Sequence, residues 1–356
     1  MTITIHLPSD ASRVVRFAVS PLVEFGWAWH VLGGADHHPG RAQWVANVRA
    51  ALPDEVARDL HAWSFAVRAI RSTFMVDPTA VPPARWDEQL RRLAELPADD
   101  FAAMAVRPLA RLRGKPDNVH DPRVRNRVVA LARARGAASA DVGSLILQDA
   151  PAAQASLVTL LTTCWSLFFR EEWDAARPLL DRELALRSRL GRRGPFRALR
   201  GLSPAITVDE KTRAIRVDKM QSKRLDVAGR GLVLVPSTFA EPHIYVADEP
   251  GRPVVVHYPV PMVSRSAHSR VVQRALTVLA HPARLEICRA IAVEPRSAHE
   301  IARLWRFSES TVTKHLSALR AAGLVTSDRV GRFVRYSLNA SAIETLGTDL
   351  LEILRR

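Results

Sequence analysis

The sequence predicts a mainly α-helical fold with small antiparallel β elements, and three observations support this. Apolar residues recur at three- to four-residue spacing through most of the first 200 positions. The pattern then shortens to β-branched runs broken by Pro and Gly, between about 201 and 262. From about 270 helical spacing returns, and it closes on a helix, a turn, a second helix and a two-stranded ribbon.

Residues 2–6 (TITIH) alternate as a short strand, and a Ser, Asp and Pro cluster follows. PLVEFGWAWHVLGG, AQWVANVRAALP, DEVARDLHAWSFAVRAI and ARWDEQLRRLAEL each carry helical apolar spacing and end near Gly or Pro. The run from SLVTLLTTCWSLFF to LALRSRLG is the longest helical region, with a break expected near Pro178. AITVDEKTRAIRVDK reads as a hairpin turning near Glu210 and Lys211. GLVLVP, HIYVAD and PVVVHYPV read as short strands of a small antiparallel sheet to which residues 2–6 add. The expected organisation is an N-terminal helical domain with a small β-sheet over 1–262 (helical to about 200, β-rich 201–262), a polar linker over 263–269 and a C-terminal winged helix-turn-helix over 270–356.

With 356 residues, 47% hydrophobic and 24% charged, the chain is long enough for two or three domains, each with its own core. The formal charge of +15 favours a polyanionic partner such as nucleic acid, although Arg-rich, Ala-rich composition accounts for part of it. Cys164 and Cys288 both sit in apolar helical runs, where a thiol packs as a small hydrophobe. The N-terminus shows no basic start and no stretch reaches about 18 uninterrupted apolar residues, so a cytoplasmic protein without a membrane partner is expected.

Chemistry-bearing motifs are sparse. There is no G-x-S-x-G elbow, glycine-rich phosphate loop, H-E-x-x-H or C-x-x-C, so no catalytic residue and no cofactor is expected. His30, Asp36, His37 and His38 form a His-rich cluster, but adjacent residues on a Gly-flanked loop seldom converge on one ion. A solvated turn is expected there, and no metal. Trp27, Trp29, Trp44, Trp63, Trp86, Trp165 and Trp173 admit two readings, an aromatic pocket for an organic effector or ordinary core packing, and the second is favoured for any one of them.

The strongest signal is RFSESTVTKHLSALRAAG. Val312, Leu316 and Leu319 form an apolar stripe that turns Ser310, Thr311, Thr313, Lys314 and His315 mostly elsewhere. Ser297 and Ser308 are placed to cap the two central helices, Gly323 to stop the second and Gly331 to turn the ribbon. In a winged helix-turn-helix the second helix enters the major groove through its N-terminal half. This assigns Ser308, Ser310, Thr311, Thr313, Lys314 and His315 to base edges and phosphates, and Arg329, Arg332 and Arg335 on the ribbon to the flanking backbone or minor groove. Glu309 is the one repulsive charge on that face, suited to accept from a cytosine amine.

LTVLAHPARLEICRAI, SAHEIARLW, SESTVTKHLSALRAAGLV and DRVGRFVRYSLN together resemble the ArsR/SmtB family of winged-helix repressors, over essentially all of residues 270–356. The resemblance implies a homodimer on a palindromic operator in double-stranded DNA, with the first and last helices at the two-fold axis. Val271, Leu276, Leu279, Ile343, Leu346, Leu350, Leu351 and Leu354 are then the dimer candidates. The chain departs from metal-sensing members. Their paired cysteines fall here on Ser297 and His299, and the closing helix offers Glu344, Asp349 and Glu352 but no His. VVRFAVSPLVEF and LDVAGRGLVLVPSTFAEPHIYV also resemble an uncharacterised domain found upstream of such winged helices in actinobacterial regulators, a likeness that transfers no ligand and no activity. The expected function is a sequence-specific DNA-binding transcriptional regulator, a repressor, whose N-terminal domain serves dimerisation or effector sensing. The alternative is an enzyme or small-molecule-binding protein in the N-terminal domain, with the winged helix as a tether or protein-contact module.

Overall fold

The structure, a computed structural model, describes residues 2–76, 85–112, 114–219, 221–260, 265–305, 307–330, 333–340, 342–344, 346–347 and 350. The chain divides into two compact units, Met1–Met262 and Val263–Arg356.

At the heart of the N-terminal unit lies helix Pro21–Gly33. Ser20, in extended backbone, accepts from Val23 N at 3.1 Å, and Pro21 occupies a first-turn position that needs no N–H donor. The helix is apolar on nearly every face, so it is buried nearly all round, with Phe25, Trp27, Ala28, Trp29 and Val31 inside. Ser20 also donates to Gln89 Oε1 at 3.0 Å, which fixes helix Trp86–Ala94 beside it.

The long helical region runs unbroken from Ala150 to Gly191. The break expected near Pro178 does not occur, because helix Arg170–Gly191 contains that residue. A proline deletes one N–H and crowds one carbonyl, a cost this long helix sustains while Trp173, Ala176 and Leu180 are anchored in the core. The irregularity lies instead at Trp165–Phe169, a π-helical turn where Trp165 stacks on Trp86 at 4.5 Å. One 18-residue window of the run reaches a mean hydropathy of 1.4, enough by length and composition to cross a membrane. Here Leu157, Leu160, Leu161, Cys164 and Phe169 of the same run belong to the helical core.

In the N-terminal unit the β elements form two four-stranded sheets among the described residues rather than one, so residues 2–6 do not join the sheet of 232–237, 245–247 and 254–259, and both sheets are mixed rather than antiparallel. In the first, Thr2–His6 pairs antiparallel with Ala214–Asp218 and parallel with Lys223–Asp226, and Ile206–Asp209 completes the hairpin expected from the sequence. In the second, Val15–Phe17, Leu232–Ser237 and Val254–Pro259 run parallel, with Tyr245–Ala247 antiparallel at the edge. Short β-branched runs specify strands but not their direction. Near-continuous burial along Leu232–Ser237 and Val254–Pro259 is the mark of parallel strands covered on both faces.

The C-terminal unit consists of helices Arg265–Leu279, Pro282–Ile291, Ala298–Trp305 and Glu309–Ala321, followed by the ribbon Val325–Val330 and Phe333–Leu338. The first helix begins at Arg265, inside the stretch read as a linker over 263–269, since nothing in RSAHS breaks a helix. A short third strand, Arg296–Ser297, pairs with Arg335 and Tyr336. Ala275, Val278, Ile287, Ile291, Ile301, Val312, Leu316 and Leu319 share one core. Gly323 takes the left-handed conformation, φ +73°, that ends helix Glu309–Ala321, whereas Gly331 lies outside the described residues.

Candidate nucleic-acid interface

Val312, Leu316 and Leu319 are each 0% exposed, so the opposite face of helix Glu309–Ala321 is turned to solvent. Ser308 caps the helix by accepting from Thr311 N at 3.2 Å. Its hydroxyl also lies 2.7 Å from Thr311 Oγ1 and 3.0 Å from Ser310 Oγ, so three exposed hydroxyls meet at the helix start. Thr313 donates back to Glu309 O at 2.8 Å, and Lys314 is exposed. Unpaired N–H groups and short hydroxyls at one helix end make a surface suited to phosphate and base edges.

His315 is placed differently from its neighbours. It is half-buried, its ring 4.9 Å from His281, and burial followed by the charges of His281 and Arg284 lowers its pKa. His281 itself caps helix Pro282–Ile291 by accepting from Ala283 N at 3.2 Å. That partner is 34 positions upstream and carries no sequence signal for the contact. Glu309 sits with its carboxylate 3.3 Å from His299 Nδ1. Helix Ala298–Trp305 starts with a capping box, in which Ser297 Oγ accepts from Glu300 N at 3.3 Å and Glu300 accepts from Ser297 N at 2.6 Å.

On the ribbon, Arg329 and Arg335 are exposed, and Asp328 is paired in register with Arg335. Arg335 also reaches Glu300 at 3.7 Å, so part of its charge is balanced locally. Arg332 lies outside the described residues. The structure therefore brings the polar start of one helix and a basic ribbon onto a single compact unit.

The dimer candidates separate into groups. Ala275 and Val278 face the unit's own core, which turns Val271 (58% exposed) and Leu276 (36% exposed) outward. Leu279, Ile343 and Leu346 pack partly against that core and Leu350 is half-buried, whereas Leu351 and Leu354 lie outside the described residues.

In the N-terminal unit, Trp27, Trp29, Trp63, Trp86 and Trp173 are buried core, with Trp44 and Trp165 packed against it. Trp29 also edges a cleft of about 430 Å³ with Arg49, His61 and Arg68, and Trp86, Trp165 and Trp173 edge another of about 480 Å³. The His-rich turn is not uniformly solvated. Asp36 and His37 are exposed, but His38 is 2% exposed and meets His30 and His243, the last of which no local sequence signal joins to them.

Comparison with known proteins places these two units. Residues 1–264 match a family of unknown function (DUF5937), and residues 279–328 match a helix-turn-helix domain. Over 63 residues, 18% of this chain, there is 38% identity to the HTH-type transcriptional repressor SmtB of Mycobacterium tuberculosis, in strains CDC 1551 / Oshkosh and ATCC 25618 / H37Rv. The chain spans 47%, about half, of the length of those curated relatives. Solved structures with similarity include an ArsR-like transcriptional regulator from Rhodococcus sp. RHA1 (29% identity, 24% of this chain and 80% of that chain, TM-score 0.23). Reduced HlyU from Vibrio cholerae N16961 is another (27% identity, 24% of this chain and 88% of that chain, TM-score 0.21).

Proposed function

This chain belongs to the DUF5937 family of unknown function and carries a C-terminal helix-turn-helix domain, and we propose that it is a sequence-specific DNA-binding transcriptional regulator, a repressor acting as a homodimer on cytoplasmic DNA. One observation carries the reading. The apolar stripe of helix Glu309–Ala321 is wholly buried, leaving Ser308, Ser310, Thr311, Thr313 and Lys314 exposed at its N-terminal half. Such a helix reads bases while phosphate contacts hold it in register. The net charge of +15 supplies the long-range attraction, and Arg329, Arg332 and Arg335 the flanking contacts. The 38% identity to a repressor over 63 residues supports the direction of regulation.

In this reading the first helix and the closing segment form the two-fold interface, which sets the spacing of the two recognition helices. The N-terminal unit serves dimerisation or effector sensing. An organic effector that binds one spacing better than the other changes operator affinity by its own differential affinity for the two states.

The test is fluorescence anisotropy of the full chain on duplex DNA from its own upstream region and on a scrambled duplex, across salt concentrations. Preference for the upstream duplex with affinity falling linearly in log salt supports the reading. Equal, weak binding to both duplexes, together with no enrichment of any fragment in a genome-wide selection, overturns it.

A further inference from the structure

We infer that His30, His38 and His243 of the N-terminal unit form a binding site for a divalent ion of the zinc class, held through imidazole nitrogens. One ring nitrogen from each of the three lies within 4.8 Å of the others. They arrive from separate segments: His30 from the last turn of helix Pro21–Gly33, His38 from the 3₁₀ turns after it, and His243 from the loop beyond strand Leu232–Ser237. Tertiary structure alone brings them together.

The hydrogen bonds orient two of the rings. His30 Nδ1 lies 3.0 Å from Val67 O and His38 Nδ1 lies 2.6 Å from Glu241 O. A carbonyl only accepts, so each Nδ1 carries the proton and each Nε2 presents a lone pair, the arrangement by which outer-shell carbonyls orient metal-bound histidines. His38 is 2% exposed, and its Nε2 has no hydrogen-bond partner. A buried nitrogen left unsatisfied is destabilising, which ordinary core packing does not explain. A ligand bond would satisfy it.

Ring geometry agrees. His38 and His243 meet at 5.0 Å and 82°, His30 and His38 at 5.4 Å and 88°, and His30 and His243 at 5.7 Å and 78°. The three rings meet edge to face rather than stacked. Zinc–nitrogen bonds of about 2.0–2.1 Å at tetrahedral angles set the nitrogens about 3.3 Å apart, so the set closes by up to about 1.5 Å. His30 and His243 are half-buried.

Three imidazoles without thiolate select a borderline transition ion such as Zn²⁺ or Co²⁺ over Mg²⁺ or Ca²⁺, which take oxygen ligands. A fourth position stays open, as in sites that accept an exogenous ligand. Arg71 is buried over Trp27, its guanidinium 3.7 Å from the ring centroid, and its charge acts on all three histidines. It opposes a dication and favours an anionic fourth ligand such as hydroxide or a carboxylate. The inference holds whether or not the C-terminal unit binds DNA.

The test is titration of chelator-stripped full-length protein with Co²⁺, read by visible d–d absorption, and with Zn²⁺ by calorimetry. The expected result is one equivalent per chain with a four- or five-coordinate Co²⁺ spectrum. Substituting one ligand should weaken binding by more than the roughly 100-fold that loss of an outer-shell partner costs. His38→Gln and His243→Ala should both show this loss, and His120→Ala, at an exposed histidine, should not. Should the buried His38→Gln fail to fold, His243→Ala decides, with circular dichroism confirming its fold. No bound equivalent in the unaltered chain, or unchanged binding in folded His243→Ala, overturns the proposal.

Discussion

Trp27 and His257 are joined by a buried 3.0 Å hydrogen bond from the indole Nε1 to ring Nδ1, tying helix Pro21–Gly33 to strand Val254–Pro259. His257 Nε2 must then carry the proton, and it donates to Val76 O at 2.9 Å. Trp27→Phe keeps an aromatic ring but strands a buried acceptor. Its expected cost is about 1–3 kcal/mol of unfolding free energy for the N-terminal unit, read from urea denaturation. A loss below experimental error would show that the bond contributes nothing net.

The same residue makes stability depend on pH. Burial, then the Arg71 charge, lowers the His257 pKa from 6.5 to about 3, with the Tyr245 ring also packed against it. Between those values the unfolded chain binds the proton and the folded unit does not. The contribution of His257 is therefore fully present above the unfolded pKa and is lost as pH falls toward 3. The slope is up to about 1.4 kcal/mol per pH unit. His257→Gln should flatten the fall in stability between pH 6 and 4, measured by denaturant midpoints; an unchanged slope would assign the dependence to other groups.

Lys314→Ala should weaken upstream and scrambled duplexes alike and reduce the salt slope by about 1. Ser310→Ala is expected to act on preference instead, narrowing the gap between the two duplexes. Ser308→Ala removes the helix cap seen at Thr311 N, so it should also lower stability by about 1 kcal/mol. Anisotropy titrations across salt separate the first two effects, and thermal melts report the third.

Val271→Glu with Leu276→Glu places two charges where the structure leaves apolar surface, 58% and 36% exposed. If this face is the two-fold contact, light scattering should report half the mass and operator affinity should fall. A dimer that survives both substitutions would move the interface to the N-terminal unit.

Both cysteines are free and buried, and burial raises their pKa values, that of Cys164 to about 12. Only the thiolate is nucleophilic. Iodoacetamide at pH 8 should label neither until denaturant is added, as counted by mass spectrometry. Rapid labelling of native protein would contradict the burial of these residues.

Much of the C-terminal unit was legible in sequence because its signals are local. Val312, Leu316 and Leu319 repeat at helical spacing, Ser297 and Ser308 cap through neighbours three positions on, and Gly323 supplies a positive φ. His315 was the exception: the spacing that turned it outward could not show His281 covering it.

In the N-terminal unit the sequence by itself marked helices such as Pro21–Gly33 and Trp86–Ala94 and strands such as Thr2–His6 and Leu232–Ser237, because periodicity and turn chemistry act within a few residues, but not strands Val15–Phe17 and Lys223–Asp226 or helix Ala137–Gln148. Tertiary structure alone decided which strands run parallel, that Pro178 stays within a helix while Trp165–Phe169 widens, and that His38 is buried against His30 and His243. Each of those outcomes depends on contacts between residues far apart in the chain. The energy of such contacts is set by burial and by the partner's position, neither of which has a local signature.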